Sequence, residues 1–553
     1  MSKKLKLTIL VSSIILAIIT RFYKLGEAPK GLYLDEAGQG YSAYSILKTG
    51  KDEFGKAFPI VFRSFTDFKT PVYIYLIVPL IPIFGLTKFT VRFPSFLFSI
   101  LTLPFLYLLL KKITPKKYKE SIPLLTIFLL AISPWHILFG RTNFECNVAL
   151  FFLISGIYFF HKGLSKPKNL IISAILLAIA IPSYHAQRLV TPLMVLILFI
   201  RHKKNLLSNR YLKPLILGGV IALLISIPTL SVATTPGFLA RARGLNIFSA
   251  DKHTPSGTLN QLPDSIKPIA NNKIFLISKE FVSLYISYFS PRNMFLLGDY
   301  GPRSSFPELS TFFIWQLPFY LLGLYKIIKD KNLKELRYFT LAMLLISPLP
   351  AAVTHDPYSS IRSLQMVIPL LIIIGLGLIS FWERLRKKLS KIAFLIFLFL
   401  SIIHSFGKLY SSIIILNEYH RANEWDYGWE EVAQTIKNLE PNIPIIVDTA
   451  RHGPYIELLF FLKYDPRRFQ NDNFEVSPSE YYTKMTRRDN WNLGNIKIRP
   501  INWEYDTIKQ QYLIGDRLAI SDGQIQEHNL KLVKEIYYPN GIIAFKIVKT
   551  NPN

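Results

Sequence analysis

The chain has 553 residues, half of them hydrophobic, with 41 Phe and 29 Tyr. It is too apolar and too long for one soluble core. Its formal charge of +29 would fit a polyanion-binding protein, but the placement of the basic residues excludes nucleic acid as the partner.

Taken in order, the apolar runs predict about eleven membrane spans. They centre near residues 7–22, 92–110, 121–139, 147–160, 169–183, 189–200, 214–232, 311–328, 338–353, 362–381 and 392–410. The first, from Leu7 to Thr20, lacks a small-residue cleavage site and runs into Arg21-Phe22-Tyr23-Lys24, so it reads as a retained helix. The run at 71–86 is interrupted by Pro79 and Pro82 and reads as interfacial or partly inserted. After residue 411 the composition changes. Residues 430–436 read as a helix, 443–448 as a strand and 454–463 as a helix. Strands at 532–537 and 542–548 flank Pro539-Asn540-Gly541, a hairpin signature. The expected organisation is a transmembrane domain over 1–410 and a small α/β domain over 411–553. There are no repeats and no low-complexity tract.

Alternate loops carry the basic charge. The N-terminus and residues 111–120, 161–169, 201–213, 326–337 and 383–391 hold 26 Lys and Arg against four acids. The stretch from 411 holds 17 basic and 19 acidic residues. This positive-inside pattern predicts a cytoplasmic N-terminus, and an odd number of spans then puts the C-terminal domain outside the cell membrane. Two long loops, near 23–91 and 233–310, fall on the outer side, and loops of such length are usually functional. The lone Cys146 allows no internal disulfide.

Asp35-Glu36 lies in the first outer loop, which also carries Gly50, Gly55 and Thr66-Asp67-Phe68-Lys69-Thr70-Pro71. A carboxylate at the lipid–water boundary can serve as a general base, although most Asp-Glu pairs are simply solvated. Arg141 and Glu145 occupy a tight outer turn, where Trp135 reads as an interfacial anchor and His136 as either anchor or ligand. Tyr184-His185-Ala186-Gln187-Arg188 and His355 to Arg362 each place a His and an Arg at a span mouth. Arginines gathered at one membrane face fit an anionic headgroup. Ordinary phospholipid is the bland alternative, strongest for Arg241 and Arg243. There is no zinc-type His/Cys spacing and no phosphate-binding GxxxxGK[ST] loop. No cofactor is expected, with a divalent metal left open, and any donor at the outer face has to arrive as a lipid.

The pattern Arg21…Pro29-Lys30-Gly31-Leu32…Asp35-Glu36-Ala37…Gly50…Pro71…Gly85…Val91-Arg92-Phe93-Pro94-Ser95 resembles the membrane glycosyltransferases of the protein O-mannosyltransferase and lipid A aminoarabinose transferase superfamily (family 39-like), which have the GT-C fold. The resemblance covers the first 200 or so residues on hydropathy and spacing, and the turns at Arg141 and His355–Arg362 extend it. It implies a polytopic α-helical enzyme that moves a hexose or pentose from a polyprenyl phosphate to a glycan, lipid or protein acceptor at the outer face. It implies Asp35 as base and Glu36 as a supporting carboxylate. Arg141, Arg188 and Arg362 become phosphate ligands. Glu145, Tyr184, His185 and His355, read from their places in the outer turns, are expected to bind substrate with them. No β-trefoil domain of the eukaryotic O-mannosyltransferases is evident, so a protein acceptor is not favoured. A single base fits direct displacement with inversion, whereas retention would need a carboxylate nucleophile. The competing readings are a transporter or flippase of a lipid-linked sugar, which would show repeats and midplane polar groups, and a non-catalytic membrane scaffold.

Overall fold

A computed structural model describes residues 3–65, 67–239, 247, 272–449, 454–473, 477, 479–483, 488 and 490–551. The chain divides into two compact units. One holds residues 1–23, 95–233 and 239–410, and the other holds 24–94, 234–238 and 411–553. The break at 410/411 falls where the composition changes. Residues 24–94, expected inside the transmembrane region, group instead with the C-terminal residues.

The first unit is helical. Each expected span within it overlaps a helix, but six described helices in the chain are long and apolar enough to cross a membrane, or seven if one bent pair is a single span. That pair is Ser121–Ile132 and Pro134–Arg141, bent by 58°. Pro134 has no N–H and cannot continue the hydrogen-bond ladder, so carbonyls of the preceding turn are left over. Arg21, fully buried on the Lys3–Phe22 helix, fills the gap. Its Nη1 donates to Ala131 O and its Nη2 to Leu130 O, both at 2.9 Å. Elsewhere helices approach to backbone distance. The Leu317–Lys329 and Val367–Arg384 helices meet at Gly323 and Gly377, where a Cβ would stand 1.8 Å from Ile373 O and from Phe319 O respectively. Any larger residue would push the pair apart.

In the second unit, the helix Leu34–Thr49 precedes a short hairpin of β1 (Phe62–Ser64) and β2 (Asp67–Lys69). The prolines at 79 and 82 break the next apolar run into Pro71–Ile77, a 3-10 turn over Val78–Leu80, and Ile81–Phe84. The C-terminal residues build a six-stranded sheet from β3 (Ile445–Val447), β4 (Trp491–Leu493), β5 (Ile496–Ile498), β6 (Tyr512–Gly515), β7 (Lys531–Tyr537) and β8 (Ile543–Lys549), in the order β4-β5-β3-β6-β8-β7. β3 runs parallel to both neighbours, and the remaining pairs are antiparallel. The 532–548 hairpin forms as its sequence predicts, with Gly541 at φ +82°. Ile446, Leu513, Ile520, Leu530 and Val548 form a buried cluster on this sheet.

Candidate active site

Asp35 and Glu36 do not lie in an irregular loop. They are the second and third residues of the Leu34–Thr49 helix, and a helix sets adjacent side chains about 100° apart. The two carboxylates therefore meet different surroundings.

Glu36 is fully buried. Arg92 holds it with two hydrogen bonds, Nε to Oε1 at 3.0 Å and Nη2 to Oε2 at 2.8 Å. The Tyr33 N–H donates to Oε2 at 3.2 Å, satisfying one orphan donor of the helix start. Arg92 also donates to Pro29 O and Gly31 O, both at 2.9 Å. The pair thus pins residues 29–36 into one shape. Gly31 is required there: its φ is +97°, and a Cβ would stand 2.2 Å from Trp425 O. The Leu34 N–H donates to Asp426 Oδ2 at 3.0 Å.

Asp35 keeps 24% of its side chain exposed, and its Oδ2 pairs with Lys69 Nζ at 2.7 Å. Lys69, on β2, is itself nearly buried. Asp35 is thus the accessible member of the pair, held by one ammonium group. Nearby, Glu457 on the Pro454–Leu462 helix is fully buried, and neither carboxylate oxygen has a hydrogen-bond partner. Burial, reinforced by the charges of Asp426 and Glu36, pushes its carboxyl well above the usual range. Sequence reading passed over Lys69 as a site residue although it stood in a quoted loop segment. Its approach to Asp35 depends on the β1–β2 pairing.

The other expected ligands belong to the first unit. Arg141 is buried at the end of its helix, and Nη1 donates to Thr20 O at 3.0 Å and Arg21 O at 3.3 Å. It therefore caps the carbonyl end of the Lys3–Phe22 helix. Glu145 opens the next helix and is also buried. Trp135 is not an exposed interfacial anchor. It is 2% exposed, and its indole N–H donates to Ser360 O at 2.9 Å, which ties the Arg141 helix to the His355–Arg362 turn. His136 is fully buried, with Nδ1 2.8 Å from Arg21 Nη2. His355 pairs with Glu280 at 2.8 Å, and Arg362 pairs with Asp356 and donates to Thr354 Oγ1 at 3.1 Å. Tyr184 is buried, His185 and Arg188 are half-buried, and the Tyr184 and His185 rings meet edge to face. Arg241 and Arg243 lie outside the described residues. Among the described residues no three His, Cys, Asp or Glu side chains gather into a group that could hold a metal.

Residues 68–231 match the family model for dolichyl-phosphate-mannose-protein mannosyltransferase. No curated protein matches the sequence at a significant level. Among solved structures, ArnT from Cupriavidus metallidurans bound to undecaprenyl phosphate superposes with a TM-score of 0.52 at 11% identity, covering all of both chains. The archaeal oligosaccharyltransferase AglB from Archaeoglobus fulgidus, in complex with an inhibitory peptide and a dolichol-phosphate, gives 0.50 at 12% identity, covering 98% of this chain and 74% of that one. At such identities the likeness is one of fold, and it agrees with the helices long and apolar enough to span. This multi-pass membrane protein has the GT-C fold of those glycosyltransferases.

Proposed function

We propose that the protein transfers a hexose or pentose from a polyprenyl phosphate to an acceptor hydroxyl at the outer face of the cell membrane. The acceptor is a glycan, a lipid or a protein, with a protein not favoured over the other two. The observation that carries the reading is Asp35: an accessible carboxylate, held by Lys69, next to a Glu36 that Arg92 has fully engaged. Asp35 takes the acceptor O–H proton. The acceptor oxygen bonds to the anomeric carbon, and the bond from that carbon to the phosphate oxygen breaks. Polyprenyl phosphate leaves with the electron pair.

With Glu36 occupied by Arg92, Asp35 is the one carboxylate of the pair left for the chemistry, and a single base without a nucleophile gives inversion. Arg188 and Arg362 are proposed as ligands for the lipid phosphate. Arg141 is proposed with them, alongside its capping of the first helix. Glu145, Tyr184, His185 and His355 are proposed to shape the substrate site. The reaction so written requires no cofactor. The N-terminus is proposed to be cytoplasmic and the C-terminal residues extracytoplasmic.

The test is reconstitution of the purified protein with a panel of polyprenyl-phosphate sugars, scored for donor consumption and product anomer. Consumption of one donor with inversion supports the reading. Consumption of none, together with passage of a lipid-linked sugar across the bilayer, would replace the enzyme with a transporter.

A further inference from the structure

A cavity of about 610 Å³ lies between the helices Gln187–Leu206 and Lys334–Ile346, both in the first unit. Its lining is graded. At one end stand four cations, Arg201, Lys331, Lys334 and Arg337, and at the other Ile197, Leu341, Ala342 and Leu345. From Lys334 to Leu345 the helix climbs about 16 Å, so the two ends are separated by roughly the depth of a headgroup and the first stretch of acyl chain. Tyr338 lies between them. Its hydroxyl donates to Ile197 O at 3.1 Å, and its ring carries the Arg201 guanidinium at 5.4 Å.

The cations are incompletely neutralised. Glu335 pairs with Arg201 and approaches His202 at 3.9 Å. Asp330 pairs with Lys326, and its carbonyl accepts from Arg337. Lys331 and Lys334 are exposed and have no ion pair among the described residues. Leu345, at the apolar end, is 52% exposed, as expected of a residue that faces lipid. The basic end belongs to the segments 201–213 and 326–337, which the charge pattern places on the cytoplasmic side.

We infer that this cavity binds an anionic phospholipid of the cytoplasmic leaflet, its phosphate among Arg201, Lys331, Lys334 and Arg337 and an acyl chain along Ile197, Leu341 and Leu345. A free phosphate would use only the basic end, and a neutral lipid only the apolar end. The graded lining fits a molecule with both, and anionic lipids are concentrated at that surface.

The test uses the full-length protein in detergent, given equal amounts of phosphatidylglycerol and phosphatidylcholine and read by native mass spectrometry. Phosphatidylglycerol should be retained preferentially. The double variant Lys334→Gln/Arg337→Gln should lose that preference by about 10–30-fold, the scale of two interfacial cations. A control, Lys116→Gln/Lys119→Gln, in another basic loop, should leave it intact. Ala342→Trp keeps every cation but fills the apolar end, and it too should expel the lipid. Size-exclusion profiles identify any variant that has not folded, and the remaining variant then decides. Equal retention of both lipids, or loss of bound phosphatidylglycerol when inorganic phosphate or an equal amount of undecaprenyl phosphate is added, would each overturn the assignment.

Discussion

The Glu36–Arg92 pair gives the sharpest division between structure and chemistry within the acidic motif. Both side chains are fully buried, and the pair carries two hydrogen bonds, with two more from Arg92 to the carbonyls of Pro29 and Gly31. Removing one partner of a buried ion pair leaves an uncompensated charge and costs about 3–5 kcal/mol. Arg92→Ala strands the Glu36 carboxylate and two carbonyls, so it should fall in that range. Glu36→Gln keeps one acceptor for Arg92 and should cost about 1.5–3 kcal/mol, the scale of a hydrogen bond to a charged group. Because the two sites are in contact, Glu36→Gln/Arg92→Ala should cost less than the sum, with a coupling of about 0.5–3 kcal/mol. Hydrogen exchange reads this locally. Amides of residues 31–36 should lose protection by about 10²- to 10³-fold or more in Arg92→Ala, since each 1.4 kcal/mol is tenfold. Activity should fall in proportion to the loss of folded protein. Unchanged exchange together with abolished turnover in Glu36→Gln would refute this reasoning and return Glu36 to the chemistry.

The remaining predictions concern pH, phosphate binding and topology. Burial raises the Asp52 carboxyl from an ordinary 3.8 to about 7 despite hydrogen bonds from Tyr481, Lys56 and Phe54. The folded state then binds a proton that the unfolded state has released, so stability falls between about pH 4 and 7. The melting temperature of Asp52→Asn relative to the parent should therefore rise with pH, and a flat or falling difference would show that Asp52 is ionised in the folded protein. Arg362→Ala should weaken donor-lipid binding by about 1.5–3 kcal/mol, whereas unchanged affinity would mean that Arg362 serves only Asp356 and Thr354. Cysteines at Ser2 and Ser521, in a Cys146→Ala background, should label oppositely with an impermeant thiol reagent, and equal labelling in intact cells would overturn the map.

What the sequence revealed depended on how local the governing physics is. The hairpin at 532–548 was legible because Asn540-Gly541 and the alternating flanks carry its instructions within seventeen residues. The order β4-β5-β3-β6 was not, because strands of three or four residues carry too little pattern and their pairings are non-local. Apolar runs located the helices, but composition could not foresee that Pro134 would bend one run by 58° or that Arg21 would satisfy the carbonyls released there. Arg21 entered the reading as part of a family pattern, and its contacts give it a structural reason. The Asp35-Glu36 dipeptide was conspicuous from the start. Its division into one clamped and one accessible carboxylate needed the helix phase and two distant partners, Lys69 and Arg92. Similarly, Arg362 and His355 read as ligands at a span mouth, while the fold supplies each with a carboxylate partner, from Asp356 and Glu280.

The measurement closest to the central claim is the turnover of Asp35→Asn with the donor that the reconstituted protein consumes. Asn preserves the shape and can still accept a hydrogen bond from Lys69, and Asp35 is partly exposed, so the variant should fold and insert. General-base assistance is worth about 10²–10⁴-fold, so kcat should fall by that factor while donor-lipid binding stays close to that of the parent. A folded Asp35→Asn protein with undiminished kcat would contradict the account.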